Sequence, residues 1–312
     1  MIEFSHKPVM LEECMQGLRL RSGCIYFDGT AGGGGHSYEI LRRTSPDGRL
    51  IATDLDDFAI AAADKRLSEF EGRYRIHKSN YKDFAPVLES EEVDGLDGVL
   101  LDFGVSSFQL DEVTRGFSYM QDAPLDMRMD EGAPLSAADV VNGYSEAELC
   151  RIIAEYGEER FAKKIAANIV KARSGGRIER TGELAKIVEE SIPAKFRYGY
   201  GPCARRTFQA IRIEVNAELD GLEEAVRGLA RRLNKGGRIC ILTFHSLEDR
   251  IVKNVFRELA TDCICDKSLP VCVCGKKKEL EIITHKPLTA TEEEQRENSR
   301  SKCAKLRIAE RV

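Results

Sequence analysis

Five glycines fall between Asp28 and His36 in the run Asp28-Gly29-Thr30-Ala31-Gly32-Gly33-Gly34-Gly35-His36-Ser37, directly after the short apolar segment Ile25–Phe27. Glycine lets a backbone turn sharply and come close to a ligand, and the open N–H groups of a helix that starts there favour an anionic group such as a carboxylate. A second apolar segment, Arg49–Thr53, runs into Asp54-Leu55-Asp56. That is the distance from a glycine loop at which an acid holds the hydroxyls of a ribose. The competing role for Asp54 is a cap on the following helix. A fourth apolar segment ends in Asp102-Phe103-Gly104-Val105-Ser106-Ser107. Its two serines could donate hydrogen bonds to a base or cap a turn.

A glycine loop of this kind alone is shared by nicotinamide, flavin and methyltransferase sites. Two features favour S-adenosyl-L-methionine over NAD: the acid Asp28 ahead of the glycines, and the second polar segment at Asp102. Both fall at the carboxyl edge of the expected sheet, where open α/β folds bind their ligands. A nicotinamide-dependent oxidoreductase and a non-catalytic RNA-binding regulator on the same fold are the competing functions.

Two further groups could do chemistry. Cys263, Cys265, Cys272 and Cys274 crowd four of the ten cysteines into twelve positions. Four thiols suit a structural zinc, although one residue within each pair is tighter than the usual two to four; ordinary or redox-sensitive thiols are the alternative. Residues 193–212 carry Lys195, Arg197, Arg205, Arg206 and Arg212 and no acid, interleaved with Phe196, Tyr198, Tyr200 and Phe208. Cations for phosphates beside aromatic faces for unstacked bases suit single-stranded RNA; the alternative is a solvated face over a helical core. Arg296, Arg300, Lys302, Lys305 and Arg307 form a second basic stretch.

The elements that must position these groups follow from periodicity. Strands are expected at Ile25–Phe27, Arg49–Thr53, Tyr74–His77 and Asp97–Leu101, with helices between them such as Phe58–Leu67: the signature of a parallel sheet covered by helices. From about residue 111 to 215 only helical patterns occur, with starts marked by Ser145 and Glu148 as a capping box and by Thr181. Leu219, Leu222, Val226, Leu229 and Leu233 then predict a helix ended by Gly236 and Gly237, and strands follow at Arg238–Phe244, Leu280–Thr284 and Lys305–Ala309. The expected fold is α/β, with residues 1–110 and 216–312 forming one domain and an all-α domain, 111–215, inserted between its fourth and fifth strands.

The 312 residues suffice for two domains, and 42% apolar with 32% charged residues suit a folded protein. A net charge of −5 argues against coating nucleic acid through overall positive charge, so such contacts must be local. No eighteen apolar residues run together and residues 1–10 lack an apolar core, so a cytoplasmic protein without a membrane partner is expected. The composition leaves a homodimer open.

The segments GTAGGGGHS (29–37), LLDFGVSSFQLD (100–111), PLDMRMD (124–130), RRTFQAIRIEVNAEL (205–219), TFHSLEDR (243–250) and NSRSKCAKLRIAER (298–311) resemble the bacterial ribosomal RNA small-subunit methyltransferase H family, also called MraW. The likeness runs from HKPVMLEE near the start to the last residues. It implies a class I S-adenosylmethionine-dependent methyltransferase, Rossmann-like with a helical insertion, acting on the N4 amine of a cytidine in the decoding region of 16S ribosomal RNA. Position by position it implies cofactor contacts at Gly34, Gly35, His36, Asp54, Tyr81, Asp102 and Gln109. Ser299 stands where the family more often has Pro, a departure confined to the backbone path of that tail. Asp102 is the candidate catalytic residue, for the cofactor, the amine or both. The rival cytosine chemistry uses a Pro-Cys nucleophile; Pro202-Cys203 has that order but falls in the helical insertion.

Overall fold

Ile25–Asp28 (β1) and Leu96–Asp102 (β4) are nearly continuous apolar runs, the pattern of strands covered on both faces, and they pair in parallel at the middle of one sheet. The structure, a computed structural model, describes residues 8–106, 109–110, 112–197, 203–266, 271 and 273–312. Arg49–Asp54 (β2) and Tyr74–Lys78 (β3) extend the sheet beyond β1, and Leu233–Thr243 (β5) continues it beyond β4, all parallel. Lys305–Arg311 (β7) then pairs antiparallel with β5, and Leu280–Ile282 (β6) lines its outer side, giving the order β3-β2-β1-β4-β5-β7-β6. All seven strands expected from the sequence are present.

Strand order reverses between β1 and β4, so the crevice at the carboxyl ends of these two strands is the topological switch point of a doubly wound, Rossmann-like sheet. The helices Leu11–Leu18 (α1), Gly35–Arg43 (α2), Asp57–Leu67 (α3) and Phe84–Ser90 (α4) belong to this part. On one side Met15, Leu18, Ile40 and Leu41 pack with Tyr26, Leu50, Leu100, Leu242 and Leu306 of the strands, and each is at most 2% exposed.

One expected element boundary is wrong. Gly221 adopts φ 67° and starts the helix Leu222–Arg232, so Leu219 lies outside it, and β5 begins at the very next residue, Leu233. Gly236 and Gly237 therefore do not end a helix. They lie in a bulge of β5, where the register with β4 jumps from Leu96↔Leu233 to Gly98↔Arg238. Gly236 supplies φ 80° there, and a side chain on Gly237 would come within 2.9 Å of the Leu96 carbonyl. A glycine pair reads identically as a helix stop or a bulge; the neighbouring strand decides.

By packing, the chain divides into residues up to Gly104 together with Gly221–Val312, and a second unit Val105–Asp220. The second unit contains the helices Ala137–Gly143, Glu146–Glu155, Ala162–Arg173, Thr181–Ser191, Ala194–Arg197 and Arg205–Val215. Ser145 and Glu148 form the expected capping box, with the Ser145 N–H donating to Glu148 at 2.8 Å. The helical start at Thr181 uses Glu183 for the same purpose, bonded to the Arg180 N–H at 3.0 Å. Leu149, Ile152, Ile153, Ile165, Ile169, Leu184 and Val188 are wholly buried in one core. Among the described residues no helix is long and apolar enough to cross a membrane.

Candidate active site

Asp28, at the end of β1, is 1% exposed and turns its carboxylate onto its own loop: it accepts from the Thr30 N–H at 3.1 Å and from the Ser37 hydroxyl at 2.6 Å. It thus ties the start of the glycine loop to the first turn of α2. Burial pushes its pKa up to about 6 against the pull of those donors. Asp54, at the end of β2, clamps the same loop from the other side, accepting from the Gly32 N–H at 2.8 Å through Oδ2 and from the Asp56 N–H at 2.9 Å through Oδ1. Each Asp54 oxygen keeps a second lone pair for a ligand hydroxyl. The helix-capping role weighed for Asp54 belongs instead to Asp56, whose side chain accepts from the Phe58 N–H at 3.0 Å.

The loop then enters α2 through Gly34, in the left-handed conformation at φ 75°, and no side chain among the described residues caps that helix. Its first N–H groups are left for a ligand. A side chain on Gly34 would meet the Ala63 backbone at 3.0 Å, and one on Gly29 would strike Leu101 at 2.4 Å and Tyr81 at 2.7 Å. The glycines are therefore demanded by close packing as well as by turning.

At the end of β4 the Asp102 N–H donates to the Thr30 hydroxyl at 2.6 Å, which locks β4 to the loop. The Asp102 side chain is 26% exposed, while its Oδ1 is buried without a hydrogen-bond partner among the described residues. Removal from water, helped by the nearby carboxylates Asp28 and Glu248, pushes its pKa up to about 8. His36 lies alongside with Nδ1 3.7 Å from Asp102 Oδ2. The other ring nitrogen, Nε2, faces the Val9 carbonyl at 3.2 Å. A carbonyl only accepts, so Nε2 carries the proton and Nδ1 faces Asp102 bare. Burial holds the imidazole pKa down to about 4, so at neutral pH this is a polar contact and not an ion pair. Tyr81 stands beside Phe103 with ring centroids 5.4 Å apart, walling the end of β4 with aromatic surface.

Among the expected cofactor contacts, Gly34, Gly35, His36, Asp54, Tyr81 and Asp102 all belong to the sheet-bearing unit, at or just beyond the carboxyl ends of its strands or at the start of α2. Gln109 belongs to the helical unit, where it is 4% exposed and accepts from the Ser106 N–H at 3.0 Å. Ser107 lies outside the described residues. Sequence reasoning passed over Thr30, the hydroxyl joining loop to β4, and Glu248, whose charge acts on Asp102. A Thr in a glycine loop carries no signal of its own. Glu248 could be found only as part of the cap on the helix Ser246–Leu259, where it accepts from the Phe244 N–H at 2.9 Å.

The order of parts (acid, glycine loop, helix, acid, then Asp102 across the switch point) is mirrored in sequence comparison. Residues 3–312 match the model of the MraW methylase family. The chain belongs to that family. Similar relatives include a protein of Lachnospira eligens, 53% identical over 100% of this chain and 99% of its own length. A protein of Clostridioides difficile is 52% identical over the full length of both, and one of Geobacter sp. is 53% identical over 100% of each. All three bear the name ribosomal RNA small subunit methyltransferase H. As an MraW methylase family member this chain is an S-adenosylmethionine-dependent methyltransferase on a class I, Rossmann-like fold, so the oxidoreductase reading falls.

The residues present fit that cofactor. The uncapped start of α2 suits a carboxylate, Asp54 has acceptors to spare for hydroxyls, and Asp102 Oδ1 offers a further acceptor at the end of β4. Asp249 of TFHSLEDR pairs with Arg307 at 2.6 Å and Lys305 at 3.3 Å, which overcome the effect of burial and hold its pKa below the usual range. Lys305 and Arg307 are thereby committed, and Arg300 sits in a short turn of helix, Ser299–Cys303.

In the helical unit Lys195, Arg205 and Arg206 are exposed. Arg206 also donates to the Glu158 carbonyl at 3.2 Å, and Arg197 is turned inward to the Ile192 carbonyl at 2.9 Å. Arg160 stacks its guanidinium 4.2 Å from the Phe196 ring centroid and 4.7 Å from that of Phe161. Arg212 instead forms a two-pronged pair with Glu218 at 2.8 and 2.9 Å, and Phe208 is buried at 3% exposure. Tyr198, Tyr200 and Pro202 lie outside the described residues. Cys203 is partly covered by the helical core, and burial raises its thiol pKa, the wrong direction for a nucleophile.

Proposed function

We propose that this chain methylates the exocyclic N4 amine of a cytidine in small-subunit ribosomal RNA, in the cytoplasm where that RNA is assembled, and that the helical unit selects the RNA. The names of the relatives support the RNA class. The observation that carries the amine chemistry is the buried, unpartnered Oδ1 of Asp102 at the end of β4.

S-adenosylmethionine supplies a methyl group on a sulfonium, activated for in-line displacement. The cytosine amine is a poor nucleophile because its lone pair is delocalised into the ring. Asp102 accepts an N–H of that amine, which orients it and returns electron density to nitrogen. When the N–CH3 bond forms and the S–CH3 bond breaks, the nitrogen becomes cationic and must lose one proton. That proton is acidic enough to pass to water, so Asp102, whose pKa is pushed up to about 8 and which holds its own proton at neutral pH, orients the amine through Oδ1 and is not needed as the base. His36, neutral and fixed by the Val9 carbonyl, stands beside Asp102 without adding positive charge there. Asp54 and the start of α2 hold the cofactor, and Tyr81 with Phe103 excludes water beside it. No ring attack by a cysteine is required, and the raised pKa of Cys203 supports its absence from the reaction. The target base must be turned out of its stack to be reached.

Lys195, Arg205 and Arg206, beside the Arg160 guanidinium held on the Phe161 and Phe196 rings, favour RNA phosphates at the helical unit. Arg300 adds a cation from the sheet-bearing unit. The experiment that tests the assignment is nucleoside mapping of small-subunit RNA from cells lacking the gene. One cytidine should lose a methyl group and regain it on complementation; an unchanged methylation map would refute the assignment.

A further inference from the structure

Between the helix Ser246–Leu259 and β6 the chain makes an excursion whose two ends are pinned together, the Glu279 N–H donating to the Leu259 carbonyl at 2.8 Å. Its described part has the look of an unsupported loop: Ile264, Val271 and Val273 are 68%, 70% and 77% exposed, so apolar burial does not hold it. Yet three of its thiols converge. The sulfurs of Cys263, Cys265 and Cys274 all lie within 4.8 Å of one another, and those of Cys263 and Cys274 are 3.9 Å apart.

That spacing fits a shared metal ion and does not fit a disulfide. A disulfide would bring two sulfurs to about 2.05 Å. Four thiolates around zinc, each about 2.3 Å from the metal, stand about 3.8 Å apart along a tetrahedral edge. The backbone is arranged to match: N–H groups point at all three sulfurs, Cys265 N to Cys263 Sγ at 3.4 Å, Ile264 N to Cys274 Sγ at 3.5 Å and Val273 N to Cys265 Sγ at 3.3 Å. A neutral thiol is a weak acceptor. Three amide donors directed at sulfur are what metal-bound thiolates, which carry negative charge, require from the residues around them. Gly275, at φ 62°, turns the chain away directly after Cys274.

We propose that Cys263, Cys265 and Cys274 are ligands of a structural zinc ion that closes this loop. Sulfur donors select a soft or borderline cation over magnesium or calcium. Cys272, which repeats the one-residue spacing of the first pair, lies outside the described residues, and the proposal stands on the other three. The metal replaces the missing apolar core of the loop: the ordering cost of its residues is met by coordination, not by burial. None of these cysteines is among the residues proposed to hold the cofactor or act on the amine, and the metal takes no part in methyl transfer.

The test uses the full chain purified without chelator. Elemental analysis should find about one zinc per chain, and exchange for cobalt(II) should give the thiolate charge-transfer absorption and the strong visible bands of a tetrahedral sulfur site. Cys263→Ser with Cys274→Ser should abolish both, whereas Cys150→Ser, outside the cluster, should leave them. Should the double variant misfold, chelation of the wild-type protein decides instead: metal removal should open the loop between Ala260 and Glu279 to proteases while S-adenosylmethionine binding, read by calorimetry, persists. Protein that contains no zinc and takes up none, or one whose cluster cysteines are recovered as disulfides from freshly isolated reduced cells, would overturn the proposal.

Discussion

Nδ1 of His36 lies 3.7 Å from Oδ2 of Asp102, and the imidazole is neutral because burial outweighs its bond to the Val9 carbonyl. The contact therefore leaves the acid uncompensated. Removal from water, with Asp28 and Glu248 adding negative charge nearby, pushes the Asp102 pKa up to about 8.

This raised value has a sign that stability measurements can read. The folded chain holds the Asp102 proton up to about pH 8, whereas the unfolded chain releases it near the ordinary 3.8. The stability Asp102 contributes is thus fully present below about pH 4 and is lost as pH rises through about 8. Asp102→Asn cannot titrate, so its thermal midpoint should gain on the wild type steadily across that window. Midpoints that stay parallel from pH 4 to 8 would mean that the carboxyl is not held in its neutral form.

Asp54 should matter to the cofactor more than to the fold of the sheet. Removing its carboxylate by Asp54→Ala costs about 1–3 kcal/mol of S-adenosylmethionine binding, roughly a 5- to 150-fold weaker affinity by calorimetry. An affinity equal to wild type would confine Asp54 to its bonds with Gly32 and Asp56.

How far the sequence could be read depends on what decides each feature. Strands β1 and β4, the glycine loop and the Ser145–Glu148 box were legible because apolar periodicity and turn chemistry are local properties. What was not legible depends on partners far along the chain. Asp28 is spent on the loop itself, and Gly236 and Gly237 follow the register of β4. Arg212, one of a promising row of cations, is taken by Glu218, and Arg307 by Asp249. Composition shows that a donor exists; only the packed chain shows whether it is already committed.

Arg205 and Arg206 are the exposed cations on which RNA selection is proposed to rest. Arg205→Ala with Arg206→Ala should weaken RNA binding and flatten the dependence of log affinity on log salt by about 0.7 for each phosphate that is no longer neutralised. Cofactor affinity should not change. A salt slope identical to wild type would place the RNA-binding surface elsewhere on the chain.

The most direct test of the central claim is product identity. Small-subunit RNA methylated by the purified enzyme with isotopically labelled S-adenosylmethionine is digested to nucleosides and separated by chromatography, which distinguishes isomers of equal mass. The account predicts label in N4-methylcytidine, turnover lowered by about two to three powers of ten in Asp102→Ala, the scale for losing one well-placed polar group, and Cys203→Ser within a few-fold of wild type. Label in 5-methylcytidine, or a Cys203→Ser enzyme without activity, would contradict it.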